Sequence, residues 1–199
     1  ERMRISAEQR AALERRVWRL AFLLTGDGAG AAVLVDRVLD AQEDPASLEP
    51  ARLDRLVIQQ ARGLARVQRA KAEITDAGAR RALEAALSLE HQPLEAWVLA
   101  RVDDVDDLWL GRAMDCSKSA ARNHLNAAEE RMKAVLGAGY GADVAALKRF
   151  ADGLDAGPII ASERAARRKR AWRRRIAIGV VVGIVVLGAG LIALQRGML

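Results

Sequence analysis

The C-terminal end of this chain carries an uninterrupted run of 19 apolar or glycine residues, Ile176–Leu194, with no charge inside it. At a rise of about 1.5 Å per residue, a helix of this length is just long enough to cross a hydrocarbon core of roughly 30 Å. A buried core helix is normally shorter, and a cleavable signal peptide lies at the N-terminal end of a chain. The run therefore predicts a single transmembrane helix over residues 176–194.

The charges around this run predict its orientation. Eight basic residues precede it within twelve positions, and only Arg196 follows it. By the positive-inside bias we expect a single-pass protein of the inner (cytoplasmic) membrane whose N-terminal domains lie in the cytoplasm. Membrane lipids are then an expected partner, at about 1 kcal/mol per cation near anionic headgroups, and a nucleic-acid patch is the competing interpretation. The cations expected at the membrane surface are Arg167, Arg168, Lys169, Arg170, Arg173, Arg174 and Arg175.

Two glycines inside the run have the spacing of a helix-packing motif. Gly179 and Gly183 form a G-x-x-x-G pattern, which lets two membrane helices approach closely. The pattern allows a homodimer through these glycines, although glycine is frequent in membrane helices for other reasons.

The rest of the chain shows helical spacing with few strand-like alternations, which predicts an all-α fold. The first helix is expected to begin at Ser6, which has Gln9 at capping-box spacing. Further helices are expected over about residues 31–41, 51–71 and 142–154, and the weakly structured residues 72–78 are the best domain boundary. We therefore expect two small helical domains, a stalk and the span. Their limits are residues 1–72, 79–136, 142–175 (a helical stalk with a basic juxtamembrane segment) and 176–194.

The stretch Val105–Leu136 has the pattern of a short amphipathic helix, a break at Asp115-Cys116 and a longer helix that Ser117 can cap. Apolar residues from Leu108 to Leu136 recur at helical spacing and are expected to face inward. Two helices joined by a short turn, the second presenting polar residues, form the helix-turn-helix that reads the major groove of DNA. An ordinary helical hairpin with a solvated face is the alternative. The candidate DNA-reading residues are Lys118, Ser119, Arg122, Asn123, His124 and Asn126.

Residues 117–136 resemble the last helix of bacterial sigma factors of the extracytoplasmic-function type, a branch of the sigma-70 family. The family pattern there is I-S-x-G-T-V-K-S-R-L-x-R-A-R-x-x-L. Its I-S, K, L, A and final L are matched by Cys116-Ser117, Arg122, Leu125, Ala128 and Met132.

Upstream segments resemble the same family in order and spacing, so that the resemblance covers about residues 10–136. Leu87-Ser88-Leu89 and Glu95–Leu99 are similar to the L-x-x-L-P…R-E-x-F-x-L stretch that packs beneath the DNA-reading helix. Ala21–Asp27 and Ala31–Leu39 are similar to the opening of the polymerase-binding domain. The resemblance implies a region 2-like domain, a region 4-like helix-turn-helix domain, and binding to RNA polymerase core and promoter DNA during transcription initiation.

The sequence departs from this family at functional positions. The polymerase-facing D-L-V-Q-E-x-F pattern is replaced by Val33–Leu39, so the polymerase-binding candidates carried over by the resemblance are Val33, Asp36 and Arg37. No Phe, Tyr or Trp lies between Phe22 and Trp97, and such residues commonly hold an unstacked base during promoter opening. Basic positions of the family's reading helix become His124, Ala127 and Glu129.

The distribution of charge also bears on nucleic-acid binding. The net charge is +6, but nine of the 32 basic residues and none of the 26 acidic residues lie in Arg164–Leu199, so residues 1–163 are net acidic by three charges. Cations that displace phosphate counterions supply much of the affinity of a protein for DNA. DNA binding by the net acidic residues 1–163 would therefore require local clusters of basic residues. Arg62, Arg66 and Arg69 recur at helical spacing and are candidate DNA contacts, with a solvated charged face as the alternative.

Catalytic chemistry has little support in the sequence. The two histidines, His91 and His124, are far apart without metal-ligand spacing, and Cys116 is the sole cysteine, at an apolar position. Asp103, Asp104, Asp106 and Asp107 precede a helix, where carboxylates favour the positive end of the dipole, and they lack the spacing of a calcium loop. We expect a protein that is not an enzyme and that holds no metal or cofactor.

Together these features predict a membrane-tethered, sigma-factor-like transcription regulator that binds promoter DNA and RNA polymerase. The alternative is a degenerate sigma-like interaction module at the membrane, which binds an anti-sigma-like or signalling partner without binding DNA. A structural membrane protein that keeps the fold without regulation is a third possibility.

Overall fold

The computed structural model describes residues 6–64, 74–173, 175 and 176 of the chain. Regular structure in these residues is helical, with no strand among them, which confirms the predicted all-α fold class. The chain divides into two compact units, Glu1–Ile160 and Ala161–Leu199.

The first unit is built from helices of seven to 19 residues. A π-helical turn, Val98–Val102, continues α5, and short 3-10 turns lie at Pro45–Ser47 and Gly137–Gly139. Residues 156–160 of this unit are also helical. The α-helices are α1 (Ala7–Thr25), α2 (Gly28–Asp40), α3 (Pro50–Ala61), α4 (Ala77–Leu87), α5 (His91–Trp97), α6 (Asp107–Met114), α7 (Lys118–Leu136) and α8 (Tyr140–Asp152).

Local capping explains where the first helices begin and end. The predicted capping box is present, since the Ser6 hydroxyl accepts from the Gln9 N–H and the Gln9 side chain accepts from the Ser6 N–H. Gly26 ends α1 in the left-handed conformation (φ 71°), which costs glycine little because it has no Cβ. Asp27 then caps α2, which begins three residues earlier than the predicted start at Ala31 because the Asp27 carboxylate accepts from the Ala29 N–H.

The core of the first unit is aliphatic, with two fully buried tryptophans, Trp18 and Trp97. Most apolar residues predicted to face inward in α6 and α7 do so, but the prediction for Leu108 is wrong, because its side chain is 58% exposed. Leu110 is the inward residue of α6. At about 3.6 residues per turn, the position two residues before it faces nearly the opposite side.

Helices from the two predicted domains pack together within the first unit. Helix α3 contacts α6, and α1 contacts α4, so residues 6–61 and 77–136 contribute to one core. Helix α8, expected to begin the stalk, packs against α4 and buries Ala146, Leu147 and Ala151. The division into two domains at residues 72–78 stays a prediction.

Across the described part of the chain, no helix is both long and apolar enough to cross a membrane. The predicted span over residues 176–194, with Gly179 and Gly183, lies outside the described residues except for Ile176, which is helical and 45% exposed. The span therefore stays a prediction.

Candidate nucleic-acid interface

Helices α6 and α7 are joined by a three-residue turn, Asp115–Ser117, at the position predicted from the sequence. Asp115 ends α6 in the left-handed conformation (φ 57°), which aspartate tolerates better than most residues with a side chain. The Ser117 hydroxyl accepts from the Ala120 N–H at 3.1 Å and begins α7. A Cβ on Gly111 would lie 3.1 Å from the Cys116 carbonyl oxygen, so the turn packs directly on the backbone of α6.

Helix α7 separates its polar and apolar residues onto two faces, as predicted. Ala121, Leu125, Ala128 and Met132 are buried against the core. Of the six candidate DNA-reading residues, His124 is half-buried and the other five are exposed. These five are Lys118, Ser119, Arg122, Asn123 and Asn126.

Both cations on this face share one carboxylate. Asp107, in the first turn of α6, forms an ion pair with Arg122, and its Oδ2 lies 3.6 Å from the Lys118 Nζ. The Asp107 side chain is partly shielded, whereas both cations are largely exposed. Two positive charges and one negative charge therefore stand together at the start of α7, a pairing that the helical pattern of α7 alone does not reveal.

The candidate DNA contact Arg62 takes part in a structural ion pair. Its Nε and Nη2 donate to the two carboxylate oxygens of Glu95, each at 2.7 Å, and the Glu95 side chain is only 3% exposed. This bidentate pair joins the end of α3 to α5 and neutralises an otherwise buried charge. The other two candidates of that patch, Arg66 and Arg69, lie outside the described residues.

The polymerase-binding candidates lie on one side of α2. Val33, Asp36 and Arg37 are three and four residues apart, which places them on neighbouring positions of a helix surface. Val33 and Asp36 are half-buried, and Arg37 is exposed.

A groove of about 1140 Å³ lies between α3 and the α6–α7 turn. Two ion pairs cross it: Arg112 donates to Glu49 at 2.5 Å, and Arg55 pairs with Asp115. Sequence reasoning did not identify this groove, because its two walls are more than 40 residues apart along the chain. The charged lining residues are Arg52, Arg55, Arg112, Lys118, Glu49 and Asp115.

The three aspartates that precede α6 have structural partners. Asp103 pairs with Arg19, Asp104 pairs with Lys148, and the Asp106 carboxylate caps α6 by accepting from the Trp109 N–H at 2.8 Å. Burial raises the pKa of Asp103 above its ordinary value, and the neighbouring Arg19 offsets only part of that effect. No group of three or more potential metal ligands is found in the part of the chain that the structure describes.

Cys116, at the turn, is partly buried. Burial raises the pKa of its thiol, and the nearby carboxylates of Asp115 and Glu95 raise it further. The thiol is therefore protonated at neutral pH, which is the less nucleophilic form.

In the second unit, residues 161–173 are helical and strongly basic. Arg170 pairs with Glu163 at 3.4 Å, and the Trp172 side chain is 64% exposed. Among the cations predicted at the membrane surface, Arg167 is half-buried, Arg174 lies outside the described residues, and the others are exposed. These others are Arg168, Lys169, Arg170, Arg173 and Arg175.

Comparison of the chain with protein-family models, curated proteins and solved structures finds no match in any of the three. The geometry and chemistry of these residues therefore carry the functional argument alone.

Proposed function

We propose that this chain is a membrane-tethered, sigma-factor-like transcription regulator of the extracytoplasmic-function type. In this proposal α6 and α7 bind promoter DNA, and the exposed side of α2 binds RNA polymerase core. The observation that carries the proposal is the exposed polar face of α7, which begins directly after a three-residue turn.

The size and chemistry of α7 suit the major groove. Its 19 residues correspond to about 28 Å of helix, and the major groove of B-DNA, about 12 Å wide, admits one helix. Helix-turn-helix proteins contact base edges with residues near the N-terminus of the second helix, where Lys118, Ser119 and Arg122 lie. Arginine and lysine recognise guanine, and asparagine recognises adenine, so Asn123 and Asn126 add a second kind of base contact.

Membrane tethering is supported by the basic helix that precedes the apolar run in the sequence. The helix over residues 161–173 presents exposed cations, and Trp172 exposes an aromatic ring close to the first residue of the predicted span. Tryptophan is enriched at the interface between membrane and water, and lysine and arginine favour the cytoplasmic side.

The DNA-binding part is tested with the full chain, purified in a non-ionic detergent. A pool of random-sequence short duplexes is selected for binding, and the affinity of an enriched duplex is measured between about 50 and 200 mM salt. Arg122→Ala should cost roughly 1–3 kcal/mol and relax specificity at the base that Arg122 contacts. Arg149→Ala on α8 is the matched control, because Arg149 is also exposed and has no ion pair with a described residue. Equal affinities for selected and unselected duplexes would contradict sequence-specific binding.

The membrane part has its own measurement. Membranes from cells that express the full chain are washed with high salt and then with alkaline carbonate. A protein inserted through residues 176–194 should stay in the pellet after both washes, since neither wash dissolves the bilayer. Release by salt alone would mean that the basic helix binds lipid headgroups without insertion.

A second candidate function, a membrane-bound interaction module without DNA binding, is favoured by the internal ion pairs. Asp107 partly neutralises Lys118 and Arg122, and Glu95 holds Arg62. Two results together would replace the first function with this second one. The full chain would bind neither duplex DNA nor RNA polymerase core, and cross-linking through α7 in native membranes would capture a partner protein that the Arg122→Ala variant does not capture.

A further inference from the structure

We propose that the groove between α3 and the α6–α7 turn binds the phosphate backbone of the same DNA duplex that α7 reads. Arginines of α3, in the N-terminal part of the chain, would then extend the DNA contact beyond the helix-turn-helix. This inference rests on the proposed function, and it adds Arg52, Arg55 and Arg112 to the residues that contact DNA.

The charge of the groove favours a polyanion. Four cations and two carboxylates line it, so it carries two net positive charges within a body that is net acidic. Arg52 is exposed and forms no ion pair with a described residue, and Lys118 shares Asp107 with Arg122. Phosphate contacts by such cations release condensed counterions from DNA, which is a favourable term that a neutral ligand lacks.

The two pairs that cross the groove are weak enough to exchange for phosphate. In the Arg112–Glu49 pair both side chains are more than half exposed, and in the Arg55–Asp115 pair the exposures are 39% and 60%. Exposed ion pairs contribute little to stability, because solvent and salt screen the attraction between the charges. Arginine also binds phosphate with two parallel hydrogen bonds, so a backbone phosphate can replace a carboxylate partner at little cost.

The groove is continuous with the reading face of α7. Ser117 and Lys118 line the groove, and Lys118 is also the first residue of α7. A helix whose N-terminal residues contact base edges has the edge of the major groove, and hence a phosphate strand, beside its first turn. The arginines of α3 on the opposite wall face the same space.

The lining and the position of the groove favour DNA over a peptide. Leu56 and Leu108 are the large aliphatic residues among the lining residues, and only Leu108 is well exposed, so the groove lacks the apolar pocket that anchors many peptide segments. Arginine clusters recognise phosphates and acidic motifs alike. The continuity of the groove with the polar face of α7 therefore selects the duplex, and binding of an acidic peptide becomes an outcome of the test.

The test uses the full chain in non-ionic detergent and two duplexes, one enriched by selection and one of unrelated sequence. Arg52→Ala and Arg55→Ala should each weaken binding to both duplexes by a similar factor, roughly fivefold to tenfold at about 100 mM salt. Each should also reduce the slope of log affinity against log salt by about 1. Arg52→Lys and Arg55→Lys should recover most of the slope, and Arg149→Ala should change neither quantity.

A fourth variant, Asp115→Asn, separates phosphate binding from a structural role of Arg55. Asparagine also tolerates the left-handed conformation at this position, so the turn is kept while the ion pair is lost. Phosphate binding predicts that Asp115→Asn holds or raises DNA affinity. A purely structural role predicts a loss that matches Arg55→Ala, and that result would overturn the inference.

Failure of this inference differs from failure of the proposed function. If Arg122→Ala weakens DNA binding but Arg52→Ala and Arg55→Ala leave both affinity and slope unchanged, the groove does not bind DNA and the helix-turn-helix does. If no variant and no wild-type chain binds either duplex, both proposals are overturned. A third outcome is that the wild-type protein binds an acidic peptide, that DNA does not displace this peptide, and that Arg52→Ala abolishes its binding. This outcome would also overturn the inference.

Discussion

At the scale of single residues, Asp107 sets the charge at the start of α7, because it is the shared partner of Lys118 and Arg122. In the proposed complex a phosphate strand approaches these two cations. The Asp107 carboxylate would then compete with phosphate for both cations and repel the incoming duplex. Within the proposed function we therefore interpret Asp107 as a residue that weakens DNA binding.

We predict that Asp107→Asn tightens DNA binding by roughly fivefold at low salt, because removing one like charge at close range is worth about 1 kcal/mol in water. The measurement is duplex affinity by fluorescence anisotropy. Asp104→Asn is the matched control, since it removes the same charge three residues earlier in the chain but its partner is Lys148 on α8. An equal gain in both variants would show that overall charge, rather than the pairing of Asp107, sets the affinity.

Asp103 provides a pH-dependent prediction. Because burial raises its pKa in the folded state, the folded protein binds a proton at Asp103 more readily than the unfolded chain does. Its contribution to stability is therefore greatest below the unfolded pKa of about 3.9 and is lost as the pH rises through the folded pKa.

We predict that wild-type protein gains stability relative to Asp103→Asn as the pH falls from neutral towards the unfolded pKa. Urea unfolding of both proteins at several pH values measures the difference between their free energies of unfolding, which cancels the titration of the other carboxylates. A difference that does not change with pH would mean that Asp103 titrates alike in the folded and unfolded states.

At the scale of helices, one buried carboxylate holds three elements together. Asp54 on α3 is fully buried, and the Arg16 Nε and Nη2 of α1 donate to its two oxygens at 3.0 and 2.7 Å. Trp109 on α6 donates its indole N–H to the same carboxylate at 2.8 Å, and the Arg16 guanidinium lies 5.2 Å from the centre of the Trp109 ring. The contact between α3 and α6, which forms the groove, therefore depends on this cluster.

We predict that Arg16→Ala destabilises the fold by about 3 kcal/mol, because it leaves the Asp54 charge buried with only the indole as partner. Arg15→Ala, one position earlier on α1 and exposed, should change stability by less than about 0.5 kcal/mol. Chemical denaturation of both variants measures the difference. Equal effects would mean that water reaches Asp54 and solvates its charge.

The limits of sequence reasoning are visible in the same elements. Helix starts at Ser6 and Ser117 were predictable because capping depends on residues three positions apart. The packing of α3 on α6 was not predictable from the sequence, because Asp54 and Trp109 are 55 residues apart and neither belongs to a local pattern. The exposed residues of α7 follow from local helical spacing, so the sequence predicts them. Asp107 as the shared partner of two of these residues, and the groove arginines, depend on contacts between different helices, so the sequence does not predict them.

At the scale of the whole molecule, charge is divided unevenly along the chain. Residues 164–175 contain eight basic residues and no acidic residue, while residues 1–163 are net acidic. If residues 176–194 span the membrane, this asymmetry determines which side the first unit occupies.

We predict that replacing Arg167, Arg168 and Lys169 with glutamine, together with adding three lysines after Gln195, inverts a measurable fraction of the molecules. Protease protection of the first unit in sealed inner-membrane vesicles reports the orientation, and wild-type protein should show one orientation. An unchanged digestion pattern would mean that the folded mass of the first unit, rather than loop charge, sets the topology.

The cluster around Asp54 also constrains how the sequence can vary during evolution. Its three members come from three helices, and each satisfies a hydrogen bond or a charge that the others would leave unmet. A change at any one of them is therefore tolerated only with a compensating change, and descendants of this chain should keep or lose Arg16, Asp54 and Trp109 as a set. Joint variation at these three positions would allow the groove-forming arrangement to be recognised in a related protein from its sequence.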